Sequence, residues 1–273
     1  MNRHICKIER TFQPGSHRPS EDQLICSGDL FGVFDGASSL VPELYQGQTG
    51  AWWASYLVSE EFAKNNGPLH QLSRRANSEL RKTMLNEGVA VEDKLACWST
   101  SLAVVRVEES LLEWVQIGDS HILAIEESGH FRLLTHYHNH DSRTLLQLKS
   151  LFSQNNPDPH KALRPYIEGV RQQMNLEYGV LNGDLKAFDF LENGHCALND
   201  IRHLLIFTDG LLPPAENPDE DHDFQWLVDL YLQGGLSLVQ ERIRQKENSD
   251  PECRHYPRFK KHDDIAAIAL TLN

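Results

Sequence analysis

A group of short apolar segments between residues 101 and 135 constrains the fold more than any other feature of this sequence. The segments are 101–107, 111–117, 121–126 and 131–135, and short polar stretches such as Glu108-Glu109-Ser110 connect them. These connections are too short to hold a crossover helix, so they favour antiparallel pairing of neighbouring strands. The region therefore predicts an antiparallel meander.

The rest of the chain adds further strands and groups of helices. We predict strands at 24–27, 30–34, 203–208 and 265–272, and helices at 48–65, 69–84, 144–152, 162–174, 224–232 and 236–246. Strands occur in runs and helices are grouped, so an α+β layered sandwich fits better than a doubly wound parallel sheet. We expect one domain over residues 1–273, with an irregular insertion at 136–199.

Composition narrows the classes of function. The 273 residues include 26 Lys+Arg and 39 Asp+Glu, which gives a net charge of −13 and argues against a nucleic-acid or membrane partner. The sequence has neither an apolar run long enough to cross a bilayer nor an apolar signal core near its start, so we expect a cytoplasmic protein. Its five cysteines lack a close CxxC pair and are interpreted as reduced thiols.

Aspartates stand at the ends of several predicted strands. They occur in the pairs Asp35-Gly36, Gly118-Asp119, Asp209-Gly210 and Asp263-Asp264. Each aspartate alone could simply cap a turn. A carboxylate at the end of a buried strand is poorly solvated, however, and an adjacent glycine lets a ligand or the backbone approach closely. Four such cases in one chain predict a shared site.

Carboxylates gathered at one end of a sheet repel each other unless a cation lies among them. Oxygen ligands of this kind suit Mg²⁺ or Mn²⁺ better than zinc. Glu21 and Asp22 precede the first predicted hairpin and could reach the same end, although such a pair can equally be an exposed loop.

Six motifs occur in order along the chain: Pro19-Ser20-Glu21-Asp22, Phe31-Gly32-Val33-Phe34-Asp35-Gly36, Ser99-Thr100-Ser101, Ile117-Gly118-Asp119-Ser120, Phe207-Thr208-Asp209-Gly210 and Asp263-Asp264-Ile265. Taken together, they resemble the motifs of the metal-dependent protein phosphatase 2C family. The segment 178–183 is similar to one found in bacterial members. The resemblance spans about residues 4 to 272.

The resemblance implies an αββα sandwich with two mostly antiparallel sheets and a metal cleft at one end. It implies two Mg²⁺ or Mn²⁺ ions bridged by Asp35. The other implied ligands are the Gly36 carbonyl and Glu21 on one ion and Asp209 and Asp263 on the other. Asp35, Asp209 and Asp263 are thus the implied catalytic residues. Asp22 would hold metal-bound water, and Asp119 could help to bind a third ion.

The implied activity is that of a protein-serine/threonine phosphatase. Metal-bound hydroxide would attack a phosphomonoester in line and release the side-chain alcohol. The substrate would be a phosphorylated protein, and a cognate serine/threonine kinase would be a further partner.

The chain departs from the family pattern at three positions. His17 stands where the family usually has a phosphate-binding arginine, so we assign that role to the neighbouring Arg18. Ala37 stands where many members have a histidine or methionine. Pro213 replaces an aspartate of the third metal site, which leaves a third ion open.

These departures keep two alternatives open. The first is a catalytically silent relative that binds a partner. The second is a phosphatase that acts on a non-protein phosphoester. Outside the motifs, His136, His138 and His140 are interpreted as solvated loop residues, and Lys260 as surface charge that could attract substrate phosphate.

Overall fold

The computed structural model describes residues 4–16, 19–137 and 139–273. Within these ranges the strands are β1 Ile5–Gln13, β2 Gln23–Ser27, β3 Leu30–Gly36, β4 Thr100–Glu108, β5 Leu111–Ile117, β6 His121–Glu126, β7 Phe131–Leu133, β8 Glu192–Ala197, β9 Ile201–Phe207 and β10 Ile265–Leu272. The helices are α1 Gly50–Ala63, α2 Leu69–Asn86, α3 Ser142–Ser153, α4 Pro159–Arg171 and α5 Phe224–Ser249.

The strands form two five-stranded antiparallel sheets. The first sheet has the order β1-β10-β9-β6-β7, and the second has the order β2-β3-β4-β5-β8. Helices α1 and α2 pack on the second sheet, and α5 packs on the first. The resulting layers are helix, sheet, sheet and helix, which confirms the predicted α+β sandwich.

Strand β10 shows why both sheets are rich in apolar residues. All of its residues are buried, and its side chains alternate between two cores. Ile268 and Leu270 face the other sheet, whereas Ile265 and Ala267 face α5. A strand covered on both faces needs apolar residues at nearly every position, so the sequence of β10 is an almost continuous apolar run, with Thr271 as its one polar residue.

The second sheet is arranged in the same way. Phe31 and Val33 of β3 pack between the sheets, and Leu30 and Phe34 of the same strand pack against α1 and α2. Helix α1 begins after Thr49, whose hydroxyl accepts a hydrogen bond from the Trp52 backbone N–H at 3.1 Å. This cap fixes the start of a helix that lies directly over the end of β3.

The region 136–199 contains α3, α4, a short 3₁₀ helix at Leu185–Asp189 and strand β8. Helices α3 and α4 pack against each other through Leu148, Leu151 and Leu163. Both helices were predicted at nearly these positions. Strand β8 was not, and it pairs with β5 at the edge of the second sheet.

The predicted strands and helices agree with the structure except at β1 and β8. The predicted meander over 101–135 is wrong, because β4 pairs with β5 and β6 with β7, whereas β5 and β6 lie in different sheets and β6 pairs instead with β9. Strand β1 is mostly exposed and β8 alternates between half-buried and exposed positions, so neither carries a strong apolar pattern. Only their pairing with buried neighbours identifies them as strands. In the predicted 224–246 region, non-helical backbone at Gly234 and Gly235 divides α5 into two parts.

None of the helices in the described ranges has the length and hydropathy needed to span a membrane.

The core between the sheets generates a stability prediction. We expect Ile268→Ala to lower the free energy of unfolding by about 2–5 kcal/mol, because Ile268 is 0% exposed and its loss leaves a cavity. Chemical denaturation of the purified variant measures the change. Ile8→Ala on the neighbouring β1 is the matched control, since Ile8 is 46% exposed and should cost far less. Equal losses in the two variants would contradict this description of the core.

Candidate metal centre

The ends of strands from both sheets meet at one edge of the sandwich. Asp35 lies at the end of β3, Asp209 lies two residues after β9, and Asp263 lies two residues before β10. Asp119 lies in the turn that joins β5 of one sheet to β6 of the other. The four aspartates line one cavity of about 280 Å³. The structure therefore brings together the carboxylates that the sequence predicted to share a site.

The electrostatics of the cavity show how closely these groups are packed. Burial raises the pKa of Asp35 well above its usual value, and the nearby charges of Asp22, Asp119 and Asp263 raise it further. Burial and the charge of Asp263 likewise raise the pKa of Asp209. Both shifts have the direction expected for poorly solvated carboxylates that repel one another. A cation would relieve this repulsion.

Asp22 lies beneath the cavity and is almost fully buried. Burial and the charges of Asp264 and Asp263 raise its pKa, while its Oδ2 accepts a hydrogen bond from the Thr208 hydroxyl at 2.8 Å. Thr208 directly precedes Asp209, so this bond links the segment before β2 to the end of β9. Asp22 does not line the cavity, a position consistent with an indirect role.

Asp264 has a positioning role that the sequence analysis did not assign. Its two carboxylate oxygens accept hydrogen bonds from the backbone N–H groups of Gly15 and Glu21, at 2.6 and 2.8 Å. These bonds hold the segment before β2 against the start of β10. The signal available in the sequence was a second acid directly before an almost entirely apolar strand.

Glu21 lies beside the candidate metal ligand Gly36, but the side chain of Glu21 is hydrogen-bonded to two hydroxyl groups. The hydroxyls of Ser38 and Thr49 donate to its two carboxylate oxygens at 2.7 and 2.6 Å. Its backbone carbonyl accepts a hydrogen bond from the Gly36 N–H at 3.2 Å. Glu21 is thus adjacent to Gly36, although it is not among the residues that line the cavity.

Close backbone approach explains the glycines that follow two of the aspartates. A Cβ atom at Gly36 would lie 2.3 Å from the Ala51 carbonyl oxygen, and one at Gly210 would lie 1.8 Å from the Asp264 carbonyl oxygen. Neither position has room for a side chain. The glycines let the ends of β3 and β9 pack against neighbouring backbone and so keep the aspartates in register.

Lys260 is not simple surface charge, contrary to the main interpretation of the sequence. Its Nζ lies 2.7 Å from Asp263 Oδ1, and its side chain lines the same cavity. Burial alone would lower the pKa of Lys260, but the charges of Asp263 and Asp35 raise it above its usual value. The ammonium group is therefore a fixed positive charge beside the carboxylates.

His140 also differs from the solvated loop residue that the sequence suggested. Its ring stacks on Tyr178 at a centroid distance of 4.1 Å, and its Nε2 lies 3.8 Å from the nearest carboxylate oxygen of both Asp119 and Asp141. It lines the cavity with Asp119.

His17, Arg18 and His138 lie outside the described residues, so the assignment of Arg18 to phosphate binding stays a prediction.

The donor set fits Mg²⁺ or Mn²⁺ in its chemistry. The candidate ligands are oxygen atoms, and two of them belong to Asp35 and Asp209, half-buried carboxylates with raised pKa values. Within the described ranges, no group of three His, Cys, Asp or Glu side chains is placed to hold one ion without adjustment. The contacts of Glu21 with two hydroxyls and of Asp263 with Lys260 show which side chains would turn towards an ion.

Comparison with solved structures identifies the fold. The catalytic domain of the serine/threonine protein phosphatase PstP, solved in complex with two manganese ions, aligns with a TM-score of 0.60 at 16% identity and covers 97% of each chain. The Mycobacterium tuberculosis phosphatase PstP/Ppp gives 0.61 at 15% identity over 99% of each chain. Stp1 from Staphylococcus aureus gives 0.58 at 15% identity, covering 99% of this chain and 96% of its own.

A search of curated proteins returned no match. A family model described as Protein phosphatase 2C, however, matches residues 18–235, which is most of the chain. This match confirms the resemblance predicted from the motifs and supports a metal-dependent serine/threonine protein phosphatase. With its fold, its converging aspartates and this match, the chain belongs to the protein phosphatase 2C family.

Proposed function

We propose that this chain hydrolyses phosphoserine and phosphothreonine in proteins with two bound Mg²⁺ or Mn²⁺ ions. The observation that supports the proposal most strongly is the convergence of four aspartates, from distant segments, on one cavity. Asp35 would bridge the ions, Glu21 and the Gly36 carbonyl would complete one site, and Asp209 and Asp263 the other. Asp119 is the candidate for any third ion.

When bound, the ions supply positive charge that lowers the pKa of water and stabilises the phosphoryl oxygens. The protein's own residues hold the geometry. Asp264 fixes the Glu21 backbone, and Thr208 orients Asp22 beneath the cavity. This anchoring limits the reorganisation that binding requires.

Positive side chains in the cavity wall supply attraction for the substrate phosphate. Lys260 lies against Asp263, and Arg171 of α4 lines the opposite side, where its guanidinium donates to the Ser38 carbonyl at 3.3 Å. These two residues, together with Arg18, are the proposed phosphate-binding groups.

Because α4 forms part of the wall, we also propose that residues 1–273 act as one phosphatase domain. A serine/threonine kinase that phosphorylates the same proteins would be the opposing partner.

The activity prediction concerns the bridging position. With Mn²⁺, the wild-type protein should hydrolyse p-nitrophenyl phosphate and a phosphoserine peptide. Asp35→Asn and Asp209→Asn should each lower kcat by at least about 100-fold, because a metal-binding charge is lost. Steady-state kinetics measure the change, and Asp200→Asn in an exposed turn is the matched control.

No hydrolysis by the wild-type protein at any Mn²⁺ concentration would favour the catalytically silent alternative. Turnover of small phosphoesters with none of phosphopeptides would favour a non-protein substrate. Near-normal rates for Asp35→Asn would contradict the proposed ligand set.

The raised pKa of Asp35 generates a stability prediction for metal-free protein. An acid whose pKa is raised by folding begins to destabilise the fold as the pH rises above its unfolded pKa, and the effect is complete above its folded-state pKa. After chelation at neutral pH, Asp35→Asn should therefore raise Tm by about 2–4 °C, the change that roughly 1 kcal/mol produces in a chain of this size. The difference should disappear below about pH 4.

Calorimetry with Mn²⁺ completes this test. The ion should raise the Tm of the wild-type protein because it binds only the folded state, and it should raise the Tm of Asp35→Asn much less. Asp200→Asn should behave like the wild type in both conditions. A lower Tm for metal-free Asp35→Asn would show that its carboxylate stabilises the fold and would contradict the electrostatic account.

Lys260 generates a binding prediction. Lys260→Gln should raise KM for a phosphopeptide by about tenfold with a smaller effect on kcat, because a charged contact with phosphate is lost. Lys261→Gln is the matched control, since Lys261 is exposed. Arg18→Ala, assayed in parallel, tests the residue assigned from the resemblance. An unchanged KM in Lys260→Gln would remove Lys260 from the phosphate site.

A further inference from the structure

A second cavity, of about 140 Å³, lies directly beside the proposed metal centre. The two cavities share Asp119, Asp209, Lys260 and Asp263 in their walls. The second cavity extends away from the carboxylates towards His121 and Tyr137 on one side and Leu212 and Pro213 on another. None of these four residues has a role in the proposed hydrolysis, so the cavity requires its own explanation.

His121 is the most informative residue of this cavity. It lies on β6, is only 1% exposed, and neither of its ring nitrogens has a hydrogen-bond partner among the described residues. A neutral imidazole offers one nitrogen as donor and the other as acceptor. A buried polar group without a partner is costly. An occupant with a hydrogen-bonding atom would remove that cost.

The rings that contact His121 are aromatic side chains. Its ring centroid lies 5.7 Å from that of Tyr137 and 5.9 Å from that of Phe224. Burial raises the pKa of Tyr137 to about 12 and lowers that of His222, so both side chains are neutral. Leu145, Leu212 and Pro213 complete an apolar wall. The rest of the wall includes charged side chains such as Glu220, Glu247 and Arg258. An apolar surface with a few convergent polar groups is typical of a binding pocket.

The size of the cavity limits what it can hold. A cavity of roughly 150 Å³ accommodates one benzene molecule. The second cavity therefore has room for about one aromatic ring and is too small for a segment of polypeptide. Its shared wall with the metal centre favours an occupant attached to the substrate, because adjacent residues of a peptide are only about 3.8 Å apart at their Cα atoms.

We propose that the second cavity is a substrate subsite for an uncharged aromatic side chain with a polar atom, such as tyrosine, adjacent to the phosphorylated residue. This inference rests on the proposed function, since it places the phosphate at the metal centre. The ring would pack against Tyr137 and the apolar wall, and its hydroxyl would hydrogen-bond to His121. The carboxylates around the shared wall would disfavour an acidic side chain.

Phosphoserine peptides that differ at one residue test the proposal. In one set the varied residue directly follows phosphoserine, and in the other set it directly precedes phosphoserine. In each set the varied residue is Tyr, Phe, Ala or Asp. With Mn²⁺, one set should give a kcat/KM for Tyr about tenfold above that for Ala, the scale expected for a side chain bound in a pocket. Phe should fall between them, and Asp should give the lowest value.

The variant His121→Phe tests the residue assigned to recognition. It keeps a ring of similar size and removes both nitrogens, so the ratio of kcat/KM for the Tyr peptide to that for the Phe peptide should fall towards one. A ratio cancels any effect of the substitution on the metal centre itself. His195→Phe, on the exposed face of β8, is the matched control and should leave the ratio unchanged.

The outcomes separate this inference from the proposed function. If p-nitrophenyl phosphate is hydrolysed and all the peptides are hydrolysed at equal rates, the subsite is overturned and the proposed phosphatase activity is not. The subsite would also be overturned if free 4-methylphenol raised Tm while the peptide rates stayed equal, because the cavity would then bind a free small molecule. No turnover of any phosphoester would overturn both proposals. The kcat/KM values of the wild-type protein for the peptides test the subsite even if His121→Phe fails to fold.

Discussion

Repulsion among buried carboxylates is the constraint on which the rest of this structure depends. Asp35 and Asp209 come from different sheets. Burial raises the pKa of both carboxyl groups, and the charges of neighbouring aspartates raise it further. A fold that gathers such groups at one edge gives up stability there. That cost is understandable only if the site binds cations. The large apolar cores on both faces of each sheet supply the stability that makes the arrangement tolerable.

Contacts of the backbone position the site, and the candidate ligand side chains are placed by the backbone segments that carry them. Gly36 and Gly210 allow the ends of β3 and β9 to approach neighbouring carbonyls more closely than any other residue would permit. Asp264 binds two backbone N–H groups and holds the segment containing Glu21 against β10. The candidate ligands therefore inherit their positions from strand pairing and from a few buried polar contacts, which explains why they are far apart in sequence and adjacent in space.

Much of this arrangement could be predicted from the sequence because the informative elements are buried. Strands such as β10 are apolar at almost every position, and aspartates next to their ends stand out against that background. Strands β1 and β8 could not be predicted in this way, since they lie at sheet edges and carry little apolar pattern. The place of Lys260 in the cavity wall and the lack of a hydrogen-bond partner for the buried ring of His121 among the described residues depend on tertiary packing, which local sequence patterns do not encode.

The central claim is that Asp35, Asp209, Asp263 and Glu21 surround a pair of divalent cations. Anomalous diffraction from crystals soaked in Mn²⁺ measures this most directly, because it locates the ions without reference to any assumed role. The account predicts two strong anomalous peaks at the edge where the sheets meet, both within coordination distance of Asp35. Peaks elsewhere on the molecule, or no peak beside Asp35, would contradict it.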